Sequence, residues 1–466
     1  MLNQEHRMLP LTRLWDWDLA ATTSLHSQSV RVLLHALPFS ALIGHYIVSS
    51  VFLIYTRRDS LSRRFSLLPL LFLFMVQAGF SPLLSINRIG KACLTMVAFM
   101  NLLHTCNLLI LLGVDAADIE NEVLYRPPTC VREKVCGALY LLCSFRGIRT
   151  KWQAKNTPIF PSFFGDSKSP NPLQFCVRQG AIAVWQLLAN AVILLYLQNG
   201  VPPKSTCVQV IPAVVEFLGL KLAVWPIAWL SFFRMLIDST YRLVSVVSVA
   251  TGISDPTHWP PAFNSILDVW TLRRFWGLYW HQWLRWPFTA AATLFTQRVL
   301  RMSRPTLLRR YIHTFCVFTL SGLLHLVNDI YLGVHWQQSG SLLFFCSFTL
   351  GFVIEDSIEA LWVRFERGFE PKDLGEVSMQ MNHKGQAAKV TARSTRVWQK
   401  VLGALWVWSW MSVTTPVYVV PMIQSACHHR VVSDMLQMTQ YVDPGMGVLA
   451  LGIGALYFWL NFQVAL

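Results

Sequence analysis

About nine stretches along this chain are apolar for long enough to cross a bilayer, and polar, mostly basic segments separate them. They fall at residues 30–55, 66–86, 92–114, 180–197, 208–233, 308–334, 342–363, 397–423 and 445–465. The pattern predicts an all-α, polytopic membrane protein. Pro38 and Pro82 mark places where the first two spans can break, because proline removes a backbone donor. Residues 1–29 are mixed in charge and lack the apolar core of a cleaved signal peptide. They are expected to form a non-cytosolic N-terminal segment, with residues 30–466 folding as one multi-helix domain. Within the loop at residues 115–178, Ala138 to Cys143 is apolar between basic residues, as is the stretch around Tyr241 and Arg242. Both suit helices lying at the membrane interface.

Composition agrees with this division. Only 14% of the residues are charged and 54% are hydrophobic, whereas a soluble domain carries roughly 25% charged residues. The net charge of +15 does not imply nucleic acid, because it is spread over alternate loops. Arg57, Arg58, Arg63 and Arg64 follow the first span, and Arg126 to Lys168 follow the third. Arg273 to Arg310 precede the sixth, and Arg364 to Arg396 follow the seventh. The intervening loops carry few basic residues, which places the basic loops in the cytosol. The ten cysteines are scattered without the spacing of a zinc site. No phosphate-binding glycine loop is present, which argues against an ATP-driven pump. Paired broken helices in repeated halves, the mark of many transporters, are also missing from the pattern.

Two segments carry candidate chemistry. His325 lies inside an apolar run, roughly 20 Å along its helix at about 1.5 Å per residue. An ionisable group at that depth is a functional candidate, and a neutral imidazole there can take a proton from a hydroxyl. An interhelical hydrogen bond is the other reading. Ser321 and Asp329 lie four residues to either side on the same helix face. Asp329 can orient the ring or sit nearer the lumenal end. Ser321-Gly322 offers a small surface for close helix packing. The second segment, Leu272 to Phe288, interleaves Arg273, Arg274 and Arg285 with Trp276, Trp280, His281 and Gln282. Such a block suits a headgroup interface. It equally suits a cytosolic entrance where arginines meet phosphates and polar side chains meet a developing oxyanion.

The run Arg274-Phe275-Trp276-Gly277-Leu278-Tyr279-Trp280-His281-Gln282 resembles the R-F-W-x-x-x-W-H-Q signature of the wax-synthase-like branch of the membrane-bound O-acyltransferases. Phe318 to His325 is similar to that branch's second signature, and Arg146 to Pro158 to a loop motif of its fungal members. The signature region covers residues 271–334. The resemblance implies a multi-helix fold around a tunnel, with His325 and His281 as catalytic residues. It further implies acyl-CoA, most often acetyl-CoA, as a co-substrate entering from the cytosol, with no bound metal or other cofactor. Arg273, Arg274, Trp276, Trp280, Gln282 and Arg285 are the residues of the Leu272 to Phe288 segment expected to bind substrate, the arginines through the CoA phosphates. A lipophilic alcohol of terpenoid type would be the acceptor, in the endoplasmic reticulum membrane. Long-chain wax-ester synthesis is the alternative chemistry, and a transporter the alternative class.

Overall fold

The computed structural model describes residues 28–86, 88–160, 170–199, 224–302, 304, 306–368 and 396–428. Among these residues the secondary structure is helical, without strands. The principal helices are α1 (Gln28–Tyr55), α2 (Leu67–Phe80), α3 (Arg88–Cys106), α4 (Val131–Cys143), α5 (Pro172–Asn199) and α6 (Val224–Ala250). They continue with α7 (Arg285–Leu294), α8 (Leu307–Tyr331), α9 (Ser341–Gly368) and α10 (Val397–His428).

Seven of the expected spans coincide with α1, α2, α3, α5, α8, α9 and α10. Five stretches among the described residues are both long and apolar enough to cross a membrane: Val32–Tyr55, Leu61–Leu83, Arg88–Leu111, Leu307–Tyr331 and Ser341–Phe365. The expected count of nine is therefore met only in part. Most of the expected span at 208–233, and all of that at 445–465, lie outside the described residues. Helix α1 runs through Pro38 unbroken, whereas Pro82 opens a 3-10 turn at Ser81–Leu83.

Neither segment expected at the interface stands apart from the bundle. In α4, Ala138, Leu141 and Leu142 are buried in a cluster with Leu53 of α1 and Leu108 and Leu109 beyond α3. His104 of α3 completes that junction with a 2.9 Å hydrogen bond to the Leu141 carbonyl. The stretch around Tyr241 continues α6, which packs along α5. Several polar groups on that seam pair with one another. Asp238 accepts from Gln186 at 2.7 Å and from Arg242 at 2.9 Å, and Arg242 also donates to Gln179. Part of each apolar face packs on protein, while Leu243, Val244 and Val247 of α6 remain exposed.

Arg63, one of the basic residues expected to mark the cytosolic side, is fully buried. Its guanidinium donates to the carbonyls of Phe52 and Thr56 at 3.1 and 2.8 Å and to Val114 at 2.6 Å. The end of a helix leaves carbonyls without intrahelical donors, and a cation is favoured at that end. Arg63 therefore closes α1 and joins it to the chain leaving α3.

Helices α8 and α9 form an antiparallel pair that meets at Gly322. A Cβ added there would lie 3.0 Å from the Leu342 Cα. The small surface expected at Ser321-Gly322 is thus a backbone-to-backbone contact. Gly322→Ala is expected to lower stability by about 1–3 kcal/mol through overpacking. This would be read as a lower thermal midpoint in detergent. An unchanged midpoint would mean that the helix pair separates easily.

Candidate active site

The segment before α7 is built from short pieces. Thr271 caps the single turn Leu272–Arg274 by accepting from the Arg274 N–H. Glu355 of α9 accepts from the Leu272 and Arg273 N–H groups at 2.5 and 3.3 Å, and from the Trp406 indole at 3.0 Å. A carboxylate at a helix start is favoured by the exposed N–H groups. This contact pins the segment to α9 and α10. A wider turn, Phe275–Tyr279, follows and ends at the extended residue Trp280.

The carbonyl of Gly277 in that turn accepts from three side chains: Asn156 at 3.0 Å, Gln282 at 3.1 Å and Arg285 at 2.8 Å. Arg285 also donates to the Gln282 side-chain oxygen at 2.9 Å. Gln282 is buried. Both residues therefore hold the turn in its shape.

The other two arginines have separate partners. Arg273 donates to Asp356 at 3.0 and 3.1 Å and lies over the Phe352 ring. Asp356 also accepts from Arg310 and Tyr311 of α8. Arg274 lies 3.7 Å from the centre of the Trp270 ring and donates to the Asp268 carbonyl. Arg273 and Arg274 remain partly exposed, with side-chain exposures of 42% and 34%.

His281 sits between Phe263, Trp280 and Trp283, with ring centres 5.2 to 5.8 Å away. Its Nδ1 is buried without a hydrogen-bond partner. Burial pushes its pKa down from the usual histidine range to about 3. The His325 imidazole and the Arg146 guanidinium both add to the cost of charging it. His281 is consequently neutral at physiological pH. Arg146, also buried, donates to the carbonyls of Pro260 and Pro261 and to the Tyr241 hydroxyl.

His325 projects from α8. Its Nδ1 lies 2.9 Å from the Ser321 carbonyl oxygen. A carbonyl only accepts, so Nδ1 carries the proton and Nε2 keeps its lone pair. The ring is oriented by this backbone oxygen. Asp329 turns instead toward α9, accepting from Ser339 at 2.7 Å. The rings of Phe345 and Tyr418 lie 4.4 and 5.8 Å from the imidazole.

Trp276 and Trp280 link the two histidines. Trp280 packs on His281 and on Trp276, and Trp276 contacts Phe318, Phe345 and Phe348. The structure thus brings His281, His325, Trp276 and Trp280 into one aromatic neighbourhood. Gln282 and Arg285 lie behind it, and Arg273 and Arg274 to its side. Phe345 and Tyr418 were not singled out from sequence. The only available signal was the aromatic spacing Phe345, Phe348, Phe352 on one face of α9.

The sequence profile of the membrane bound O-acyl transferase family matches residues 259–347, which include both histidines. An acetyltransferase, atnC, of Arthrinium sp is 36% identical over 73% of this chain and 77% of its own. The acetyltransferase spyB of Aspergillus fumigatus is 30% identical over 85% of this chain and 66% of its own. The acetyltransferase nanB of Aspergillus nanangensis is 26% identical over 90% and 97%. No solved structure matches the chain. The chain belongs to the membrane bound O-acyl transferase family and is a membrane-bound O-acyltransferase enzyme.

Arg285→Lys tests the positioning role of this residue, because lysine lacks the fork that reaches both Gly277 and Gln282. The expected result is a lower thermal midpoint together with a lower turnover number. An unchanged midpoint with a raised KM for acyl-CoA alone would assign Arg285 to the phosphates instead.

Proposed function

We propose that the protein transfers the acetyl group of acetyl-CoA to a hydroxyl of a lipophilic, terpenoid-type alcohol, with His325 as the general base. The observation that carries this reading is the state of the His325 ring. Its Nδ1 proton is committed to the Ser321 carbonyl, which leaves the Nε2 lone pair for the substrate. The acetyl donor is supported by the names of the relatives, each called an acetyltransferase.

In this mechanism Nε2 removes the hydroxyl proton as the alcohol oxygen attacks the thioester carbonyl carbon. The new C–O bond forms, the carbonyl electrons move onto oxygen, and their return breaks the C–S bond. The electron pair leaves with the CoA sulfur. The imidazolium then gives its proton to that thiolate, so the products are the acetate ester and free CoA thiol. A thiolate needs no strong acid to leave, because thiols are far more acidic than alcohols.

The developing oxyanion needs a donor that water does not already occupy. His281 Nδ1 and the Trp276 indole nitrogen are buried and unpartnered, and a neutral His281 can present an N–H there. Such a donor is worth about 3 kcal/mol in the transition state. Trp280 keeps His281 in place. Arg273 and Arg274, partly exposed at the cytosolic end, are assigned to the CoA phosphates. Guanidinium groups match phosphate geometry, and both can exchange their present acceptors for a phosphate. An endoplasmic reticulum location is part of this proposal and accords with the several membrane-length apolar helices.

The test is ester formation by microsomes containing the full-length protein, given acetyl-CoA and a panel of hydroxylated terpenoids, with products identified by mass spectrometry. His325→Gln is expected to lower turnover by about 10²–10⁴-fold, the usual contribution of a general base. Near-normal turnover in that variant would remove His325 from this role.

A further inference from the structure

The aromatic rings around His325 carry a conclusion about the donor. The imidazole is walled on its α9 and α10 side by Phe345, with ring centres 4.4 Å apart, and by Tyr418 at 5.8 Å. Phe344 backs both. It stacks on Tyr418 at an interplanar angle of 20° and meets Phe345 edge to face at 5.0 Å. All three rings are buried. Toward the cytosol the same face of α9 continues with Phe348, against Trp276 and Phe318.

This wall is fixed by the backbone. Where α9 begins, a Cβ on Gly340 would lie 1.9 Å from the Val417 carbonyl oxygen. The residue beside Val417 is Tyr418. On the other side of α9, the Gly322 contact with Leu342 sets the distance to α8 and so to His325. Two close backbone approaches therefore hold the rings and the histidine at a set separation. Packed interiors yield little to an inserted methylene.

We infer that Phe345 and Tyr418 set the acyl length: they close the space beside His325, so that a two-carbon acyl group reaches the hydroxyl held at Nε2 and longer saturated chains do not. The inference rests on the acyl-CoA reading above. It adds residues that decide between acetyl transfer and long-chain transfer. A thioester carbonyl within attacking reach of the hydroxyl held at Nε2 has its acyl substituent within a few atoms of these rings. Each methylene beyond the acetyl methyl that is directed there must displace an aromatic side chain held from behind.

Binding of two non-hydrolysable thioethers, S-ethyl-CoA and S-hexyl-CoA, to the full-length protein in detergent tests this without knowledge of the acceptor. The wild type is expected to bind S-ethyl-CoA more tightly. Phe345→Ala is expected to improve the S-hexyl to S-ethyl affinity ratio by about tenfold or more, within the range that hydrophobic pockets achieve for a few methylenes. Phe345→Leu is the milder replacement if the alanine variant does not fold, and should move the ratio in the same direction. Phe352→Leu, on the same face but against Phe318 and Arg273, should leave the ratio unchanged. Equal wild-type affinity for the two thioethers, or a ratio unmoved in both Phe345 variants, would overturn the inference. Acetyl transfer dependent on His325 would survive that outcome. Binding of neither thioether would overturn the acyl-CoA reading and this inference with it.

Discussion

The carbonyl oxygen of Gly277 accepts from Asn156, Gln282 and Arg285, and the shape of the site follows from that convergence. A helix that ends at Tyr279 leaves its last carbonyls without intrahelical donors. A buried carbonyl left bare is costly. Three side chains from two distant parts of the chain remove that cost. In doing so they tie the loop after α4 to the segment before α7. With the turn held, Trp276 and Trp280 face the aromatic cluster, and His281 occupies a position where its Nδ1 has no competing partner.

Arginine has two different uses in this molecule. Arg58 lies on the surface beside Asp115 and Asp118. Arg63 and Arg146 are buried, and their guanidinium groups are met by backbone carbonyls and hydroxyls. A fork of several N–H donors can satisfy several such oxygens at once. Arg63 closes the end of α1, and Arg146 joins the loop after α4 to the Pro260-Pro261 backbone. Basic residues in the loops thus also hold those loops to the helices.

His325 and His281 come from different layers. Helices α8, α9 and α10 supply His325, Phe345 and Tyr418 on long rigid elements in close contact. The short pieces between α6 and α7 supply Trp276, Trp280 and His281. Glu355 links the two layers, since it caps the Leu272–Arg274 turn from α9 and also receives the Trp406 indole of α10.

Hydrophobic run length, by itself, determined that the chain is helical and membrane-embedded, because a helix must supply its own backbone hydrogen bonds in a bilayer. It also located most of the described helices, and His325 and His281 stood out as polar groups in apolar or aromatic settings. The fate of the polar side chains was decided only by the tertiary structure. Asp329 and the Ser321 carbonyl were equally available to orient His325 on one helix face, and the position of Ser339 in the turn between α8 and α9 drew the carboxylate away. Arg285 looked like Arg273 and Arg274 in sequence, yet it turns inward because the Gly277 carbonyl needs a donor. The ring wall of Phe345 and Tyr418 joins residues 73 positions apart, and no local pattern encodes it. Burial is a property that periodicity can carry, whereas the partner of a buried polar group depends on what another helix places within about 3 Å of it.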